Sequence, residues 1–321
     1  MPPSFFPNPI PPFNINTSVG AFEIGTLVAA TLFGATCIQT YLYFERYPKD
    51  NRLIKALVTA VWLLELCHTI AICHAVYTMT ITWYGDSELL SVAPASLDVS
   101  ILLSGFIGPL EQAWFIRRLY IFSKNIWLTA LCCILSFARC LGSVGYAAVA
   151  LQLWKVQRAT ILDFELQYWW ILTCIVVLGA VNDVLLACSL AWYLKKRKEH
   201  VLARVARLLD RLIFWAVETS AITSFATLSM MICFFAMPTN FVYIGIYLCL
   251  AKLYANALLA SLNGRAYLAH QFDQVMSLEN LSDASCNLST AMPSVPRPIS
   301  SFGYRSQFSY NVEQGYRRFS V

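Results

Sequence analysis

Charged residues are scarce in this sequence. Asp, Glu, Lys and Arg make up 13% of its 321 residues, about half the share of a soluble domain. Apolar residues reach 58% and the mean hydropathy is +0.58. So few charges cannot cover the surface of a soluble protein of this size. The composition therefore excludes a soluble enzyme, a disordered regulator, a collagen-like rod and a nucleic-acid-binding domain. The alternation of apolar and polar residues that marks membrane barrel strands is also lacking. So is the basic stretch and unbroken apolar core of a secretory signal peptide. Six prolines among the first 13 residues instead keep that segment extended. No Cys-x-x-Cys or Cys/His spacing suggests zinc. Of the 11 cysteines, Cys286 lies near the C-terminus and the rest fall in the apolar segments described next. None is left for a disulfide in an outer loop.

What remains is a series of long apolar runs. A helix needs roughly 20 such residues to cross the hydrocarbon core. Seven segments qualify: 24–44, 53–77, 96–119, 127–151, 166–194, 212–235 and 241–262. No charge interrupts Thr219 to Ala251, which is too long for one span. Met237-Pro238-Thr239-Asn240 divides it into a helical hairpin. Of the Lys and Arg residues in loops and tails, 19 fall on one side and two, Lys155 and Arg158, on the other. The expectation is an all-α, polytopic seven-helix bundle with the N-terminus outside and the C-terminus cytosolic. Residues 1–20 would form a proline-rich outer tail, 21–265 the membrane domain, and 266–321 a disordered, Ser-rich cytosolic tail. Asn16-Thr17-Ser18 has the form of a glycosylation acceptor beside the first span.

The candidate functional residues are the polar groups inside the spans, because ionisable side chains in hydrocarbon are costly and face the bundle interior. Counting about 1.5 Å per residue from the cytosolic end puts Glu65, Arg139, Asp183 and Lys252 at roughly 15–18 Å, and Glu111 and Glu218 at about 10 Å. His68 lies one turn beyond Glu65 on the same face. These seven residues form a candidate intramembrane polar layer, which either pairs to fix helix order or lines a cavity for a ligand, ion or proton. Asp183 with Lys252 and Glu65 with Arg139 are the expected pairs. No catalytic, cofactor or metal set is expected. Glu65-x-x-His68 lacks the second repeat that a carboxylate metal site needs. Lys252 lacks the acidic residue one turn earlier that retinal proteins place there; that position is Leu248. The third helix ends in Ile116-Arg117-Arg118-Leu119-Tyr120, without the Asp-Arg-Tyr of G-protein-coupled receptors. Pro109, after Gly105 and Gly108, marks either a static kink or a hinge. Lys195-Lys196-Arg197-Lys198 forms a basic cluster suited to anionic lipids at the inner surface.

Several motifs together resemble a known family. They are Arg46-Tyr47-Pro48-Lys49-Asp50, Trp62-Leu63-Leu64-Glu65 with His68, Asn182-Asp183-Val184-Leu185, and the closing Leu259-Ala260-Ser261-Leu262-Asn263-Gly264-Arg265. The stretch 20–265 resembles a seven-helix membrane protein family expanded in mushroom-forming fungi, the basidiomycetes, which carries domain of unknown function 6534. The resemblance implies membrane location and supplies no catalytic residues. Asn263-Gly264 reads as a helix C-cap. The sequence thus points to a multi-pass protein of the plasma membrane with no enzyme activity. It would be a receptor-like protein or sensor with an unknown small ligand, or alternatively a transporter or channel that uses the charged layer.

Overall fold

A computed structural model describes residues 15–86, 89–156, 161–198, 221–237 and 240–289. The described residues form an all-α bundle of seven helices. They are α1 (Ala21–Arg46), α2 (Arg52–Tyr77), α3 (Ala95–Ser123), α4 (Ile126–Val156), α5 (Ile161–Lys198), α6 (Ala221–Ala236) and α7 (Val242–Ser289). Six are long and apolar enough to cross a membrane; the described part of α6 is shorter. Single π-helical turns extend α1 backwards over Asn16–Gly20 and α2 forwards over Thr78–Thr82.

Local sequence sets the helix starts. The Asn51 side chain accepts the amide of Leu53 at 3.0 Å, and Asn125 accepts those of Trp127 and Leu128. Both are side-chain caps on otherwise unmet helical amides. Lys124 closes α3 in the left-handed region, at φ 55°. The hairpin between α6 and α7 falls between Ala236 and Val242, within the long apolar run. Its far side is held by the segment before α1: Thr17 donates its hydroxyl to Asn240 Oδ1 at 3.2 Å, and Phe241 N–H donates to Thr17 O. Ser18, the hydroxyl residue of the Asn16-Thr17-Ser18 acceptor, is fully buried at this junction.

Neighbours in sequence pack against each other from α1 to α5, and α7 closes the bundle against α1, α2 and α3. α4 turns Trp127, Leu131, Ile134, Phe137 and Leu141 outwards, as a lipid-facing stripe should. α7 is the opposite case. Leu248, Leu250, Ala251, Lys252, Tyr254, Ala255, Leu258, Leu259 and Leu262 are all buried, so it is enclosed on most sides.

α1 and α7 run parallel and are joined along their length. Near one end Gly25 and Gly245 bring the two backbones together, and Cys249 Sγ donates to Gly25 O. In the middle Asn256 Nδ2 donates to Leu32 O and Thr36 Oγ1, and its Oδ1 accepts from Gln39. At the other end Asn263 donates to Gln39 O, and Tyr47 OH donates to Asn263 O. Small residues for close approach and amides as glue are the usual means of helix association where no hydrophobic drive exists.

The end of α7 departs from the sequence reading. Gly264 does not cap the helix; the backbone stays helical to Ser289. A glycine inside a helix costs about 1 kcal/mol, and the residues beyond it include the good helix formers Ala266, Leu268, Ala269, Gln271, Met276, Leu278 and Glu279. The expected disorder of 266–321 is therefore replaced by helix for 266–289; residues 290–321 lie outside the described residues, as do 1–14 of the expected outer tail.

A Cβ on Gly25 would stand 2.5 Å from Gly245 Cα, with backbone on both sides. Gly25→Ala must push α1 away from α7 and should destabilise the bundle by about 1–3 kcal/mol. The check is melting of the detergent-solubilised protein, with Gly34→Ala, whose surroundings are open, as the unaffected control.

Candidate functional site

The buried polar residues fall into two clusters on different sides of α7 and a clasp at one end. In the first cluster Lys252 has no exposed surface and is ion-paired with Glu65 Oε2 on α2. The same ammonium donates to the Glu65 carbonyl oxygen at 3.1 Å and to Thr69 Oγ1 at 2.8 Å. It also lies 5.4 Å from the centre of the Phe33 ring of α1. This pairing corrects both expectations from depth. Lys252 takes Glu65, not Asp183, because α7 packs on α2 and presents residue 252 to it. Glu65 is thereby unavailable to Arg139. Burial of the whole pair is tolerable only because all three ammonium hydrogens have acceptors.

The second cluster centres on Asp183 of α5. Its Oδ1 accepts from Gln112 Nε2 at 2.8 Å, and its Oδ2 accepts from Tyr254 OH at 2.5 Å. Asn182 Nδ2 donates to the side-chain oxygen Oε1 of Gln112 at 3.1 Å. The Tyr254 oxygen also meets Arg139 Nη1 at 3.3 Å and Thr227 Oγ1 of α6 at 3.4 Å. Arg139 stacks over the Tyr254 ring, with its guanidinium carbon 5.1 Å from the centroid. It reaches Asp183 through the phenol, not by a direct ion pair. Glu111 is buried within electrostatic reach of both Asp183 and Arg139. Five helices, α3 to α7, thus contribute to one network, and it contains two carboxyl groups and one guanidinium.

Two glycines make room for that guanidinium. A Cβ on Gly108 of α3 would approach its atoms to 3.4 Å, and one on Gly179 of α5 to 3.1 Å. The Gly108-Pro109 pair, read from sequence as a kink or hinge, here sits beside the Arg139 slot. Nearer the α7 N-terminus, Ser104 is hydrogen-bonded to Tyr247, and His74 of α2 meets Ser96 Oγ at 3.0 Å.

The clasp lies where α7 passes the α1–α2 loop. Arg265 Nη2 meets Asp50 Oδ2 at 2.6 Å, and Tyr43 OH donates to the same oxygen at 2.8 Å. The guanidinium lies over the Tyr47 ring at 4.7 Å and 6.0 Å from the centre of the Trp114 ring. Trp114 and Arg118 both donate to Ser261 Oγ at 3.2 Å. Burial by itself would raise the Asp50 carboxyl. The hydrogen bonds from Arg265 and Tyr43 and the charge of Arg265 prevail and hold it below its ordinary range.

Of the seven residues proposed from sequence, Glu65 and Lys252 meet, with His68 beside Glu65 on α2. Glu111, Arg139 and Asp183 gather on the other side of α7. Glu218 lies outside the described residues. Gln112, Asn182, Thr227 and Tyr254 are essential members of the second cluster that a search for charge alone passes over. The Asp50–Arg265 clasp is a charged pair at the edge of the bundle, outside the intramembrane layer expected from sequence. No group of three or more metal-ligating side chains occurs among the described residues.

The model of a family of unknown function (DUF6534) matches residues 179–267. That stretch runs from the Gly179 wall of the Arg139 slot to just past Arg265. It holds Asp183, Thr227, Lys252, Tyr254, Asn256, Asn263 and Arg265, the α5–α7 half of both clusters and of the clasp. No curated protein and no solved structure matches the chain.

Breaking the first pair should be costly. Glu65→Gln leaves a buried ammonium without its counter-charge and should lower stability by about 3–5 kcal/mol. The double variant Glu65→Met with Lys252→Met should recover most of that loss, whereas Asp183→Asn combined with Lys252→Met should show no rescue. Melting of the singles and doubles decides between the two partners.

The clasp has a pH signature. The folded carboxyl of Asp50 titrates below the unfolded one, so its contribution is complete above the unfolded value of about 4 and is lost as pH falls through the folded one. The melting temperature should drop as the solution is acidified below about pH 4, and Asp50→Asn should abolish that part of the drop.

Proposed function

We propose that this protein is a receptor-like or sensor protein of the plasma membrane, with its N-terminus outside and its C-terminus in the cytosol. The arrangement of Asp183, Tyr254, Gln112, Asn182, Arg139 and Thr227 carries the signal between α3 and α7. The supporting observation is that one carboxylate and one phenol tie five helices at a single place. A hydrogen-bonded junction of that kind has discrete arrangements, so a ligand favouring one of them shifts the helices together. The basic residues gathered on one side support the orientation. The cluster Lys195-Lys196-Arg197-Lys198 would then contact anionic lipids of the inner leaflet. The match over 179–267 supports a place for the whole chain in the seven-helix fungal family that residues 20–265 resemble. No catalytic role is assigned to any residue.

The alternative is a transporter or channel. It is favoured by Glu111 and Asp183 standing against one guanidinium in the same buried layer, an arrangement that could accept a proton or cation. Reconstitution separates the two. For a sensor, sealed proteoliposomes should stay impermeable to protons and alkali cations. Tyr254→Phe should change the distance between spin labels at Ser123 of α3 and Lys195 of α5. Proton or cation flux abolished by Asp183→Asn would overturn the sensor reading. In intact cells a tag on the N-terminus should be cleaved by added protease and one on the C-terminus protected; the reverse would overturn the orientation.

A further inference from the structure

Three guanidiniums gather around Trp114, where α3 and α7 reach the end of their apolar runs. The pairs Ser104 with Tyr247 and Arg118 with Ser261 advance together along both helices, so α3 and α7 run in the same direction. Arg118 and Arg265 each stand four residues, one turn, beyond the hydrogen bond from Trp114 to Ser261. The Arg117 guanidinium lies over the Trp114 ring at 5.6 Å, and that of Arg265 lies 6.0 Å from the same ring. Among the described residues one carboxylate, Asp50, answers these three charges, and it is bound to Arg265. A guanidinium has five N–H donors. Arg118 is half-buried, with its carbon 5.9 Å from the centre of the Phe122 ring, and among the described residues its acceptor is the neutral Ser261 hydroxyl. Arg117 is exposed. The cluster thus keeps accessible donors and an excess of positive charge. Phosphate oxygens match the planar donor fork of arginine in pairs.

The adjoining surface indicates what carries the phosphate. Val99, Phe106 and Ala113 of α3 are exposed at intervals of seven residues, and the same face continues into Arg117 and Tyr120. An apolar, outward stripe therefore ends at the guanidiniums. A free anion gains nothing from such a stripe, whereas an acyl chain covers it. We infer that Arg117 and Arg118 bind the phosphate of an anionic phospholipid whose acyl chain lies along Val99, Phe106 and Ala113, with Arg265 adding charge from α7. Basic sites between transmembrane helices at headgroup level recognise lipids in this way. The site does not use the Lys195–Lys198 cluster and does not depend on the sensor reading.

The test uses the full chain in detergent micelles with phosphatidylserine whose acyl chain carries a photoreactive diazirine. Irradiation should attach the lipid to α3 around Phe106 and Ala113. Unlabelled phosphatidylserine should compete. Phosphatidylcholine, whose choline cation the cluster repels, should not, nor should inorganic phosphate at the same concentration. Arg117→Gln, at an exposed position, should weaken this labelling about fivefold, the factor one basic residue contributes near a headgroup. Lys195→Gln with Lys196→Gln should leave it unchanged. Melting of each variant without lipid separates lost binding from lost folding. Absence of label on α3, equal competition by phosphatidylcholine, or full labelling of a folded Arg117→Gln protein would overturn the proposal. So would loss of label in the folded Lys195 and Lys196 variant. Equal competition by inorganic phosphate would make the site one for a free anion and overturn the lipid.

Discussion

The ammonium of Lys252 sits with no exposed surface in the interior of a helical bundle, and much of the architecture answers to what it needs. A charge in that position is tolerable only with a carboxylate and a full set of acceptors. α2 supplies all of them from one turn: the Glu65 carboxylate, the Glu65 carbonyl and the Thr69 hydroxyl. That requirement fixes the rotation of α7 about its own axis. Once residue 252 faces α2, residue 254 faces the other way, towards α5, and its phenol reaches Asp183 and Arg139. Asn256 then falls against α1 and closes the parallel seam. One helix rotation thus serves three neighbours with polar groups spaced two residues apart.

The same constraint explains why α7 is enclosed while α4 is not. A helix with Lys252, Tyr254 and Asn256 at successive even positions has polar atoms pointing in several directions, and lipid can satisfy none of them. It has to be surrounded by other helices. α4 carries one ionisable group in its span, Arg139, and one inward face accommodates it between the glycines of α3 and α5. Its remaining surface is free to be apolar and outward.

The spans were legible because length and hydropathy are one-dimensional quantities. So was the set of polar residues that must point inward. The partners were not, because pairing depends on which helices touch. Depth alone placed Lys252 level with Asp183 and Glu65 level with Arg139, and α7's position against α2 reversed both choices. The uncharged members were missed for a different reason. Gln112, Asn182 and Tyr254 carry no charge, so the cost of leaving them in lipid is less conspicuous. The available signal was their position beside Glu111, beside Asp183 and two residues after Lys252. Asp50 and Arg265 are far apart in sequence, yet they stand in two of the four motifs that carry the family resemblance, and the structure shows that those two motifs touch. Gly264 misled because a glycine near a composition change looks like a cap, whereas good helix formers on its far side let the helix continue.

That continuation turns α7 into a lever. The helix runs from inside the bundle past the Asp50–Arg265 clasp and on from 266 to Ser289, roughly 36 Å of further rise at 1.5 Å per residue. The clasp acts as a fulcrum at the bundle's edge. A tilt of about 10° around it would swing the far end through roughly 6 Å. Tyr254, about 16 Å along the helix on the other side of that fulcrum, would move by roughly 3 Å in the same tilt, so a shift at its junction with Asp183 would arrive at Ser289 about twice as large.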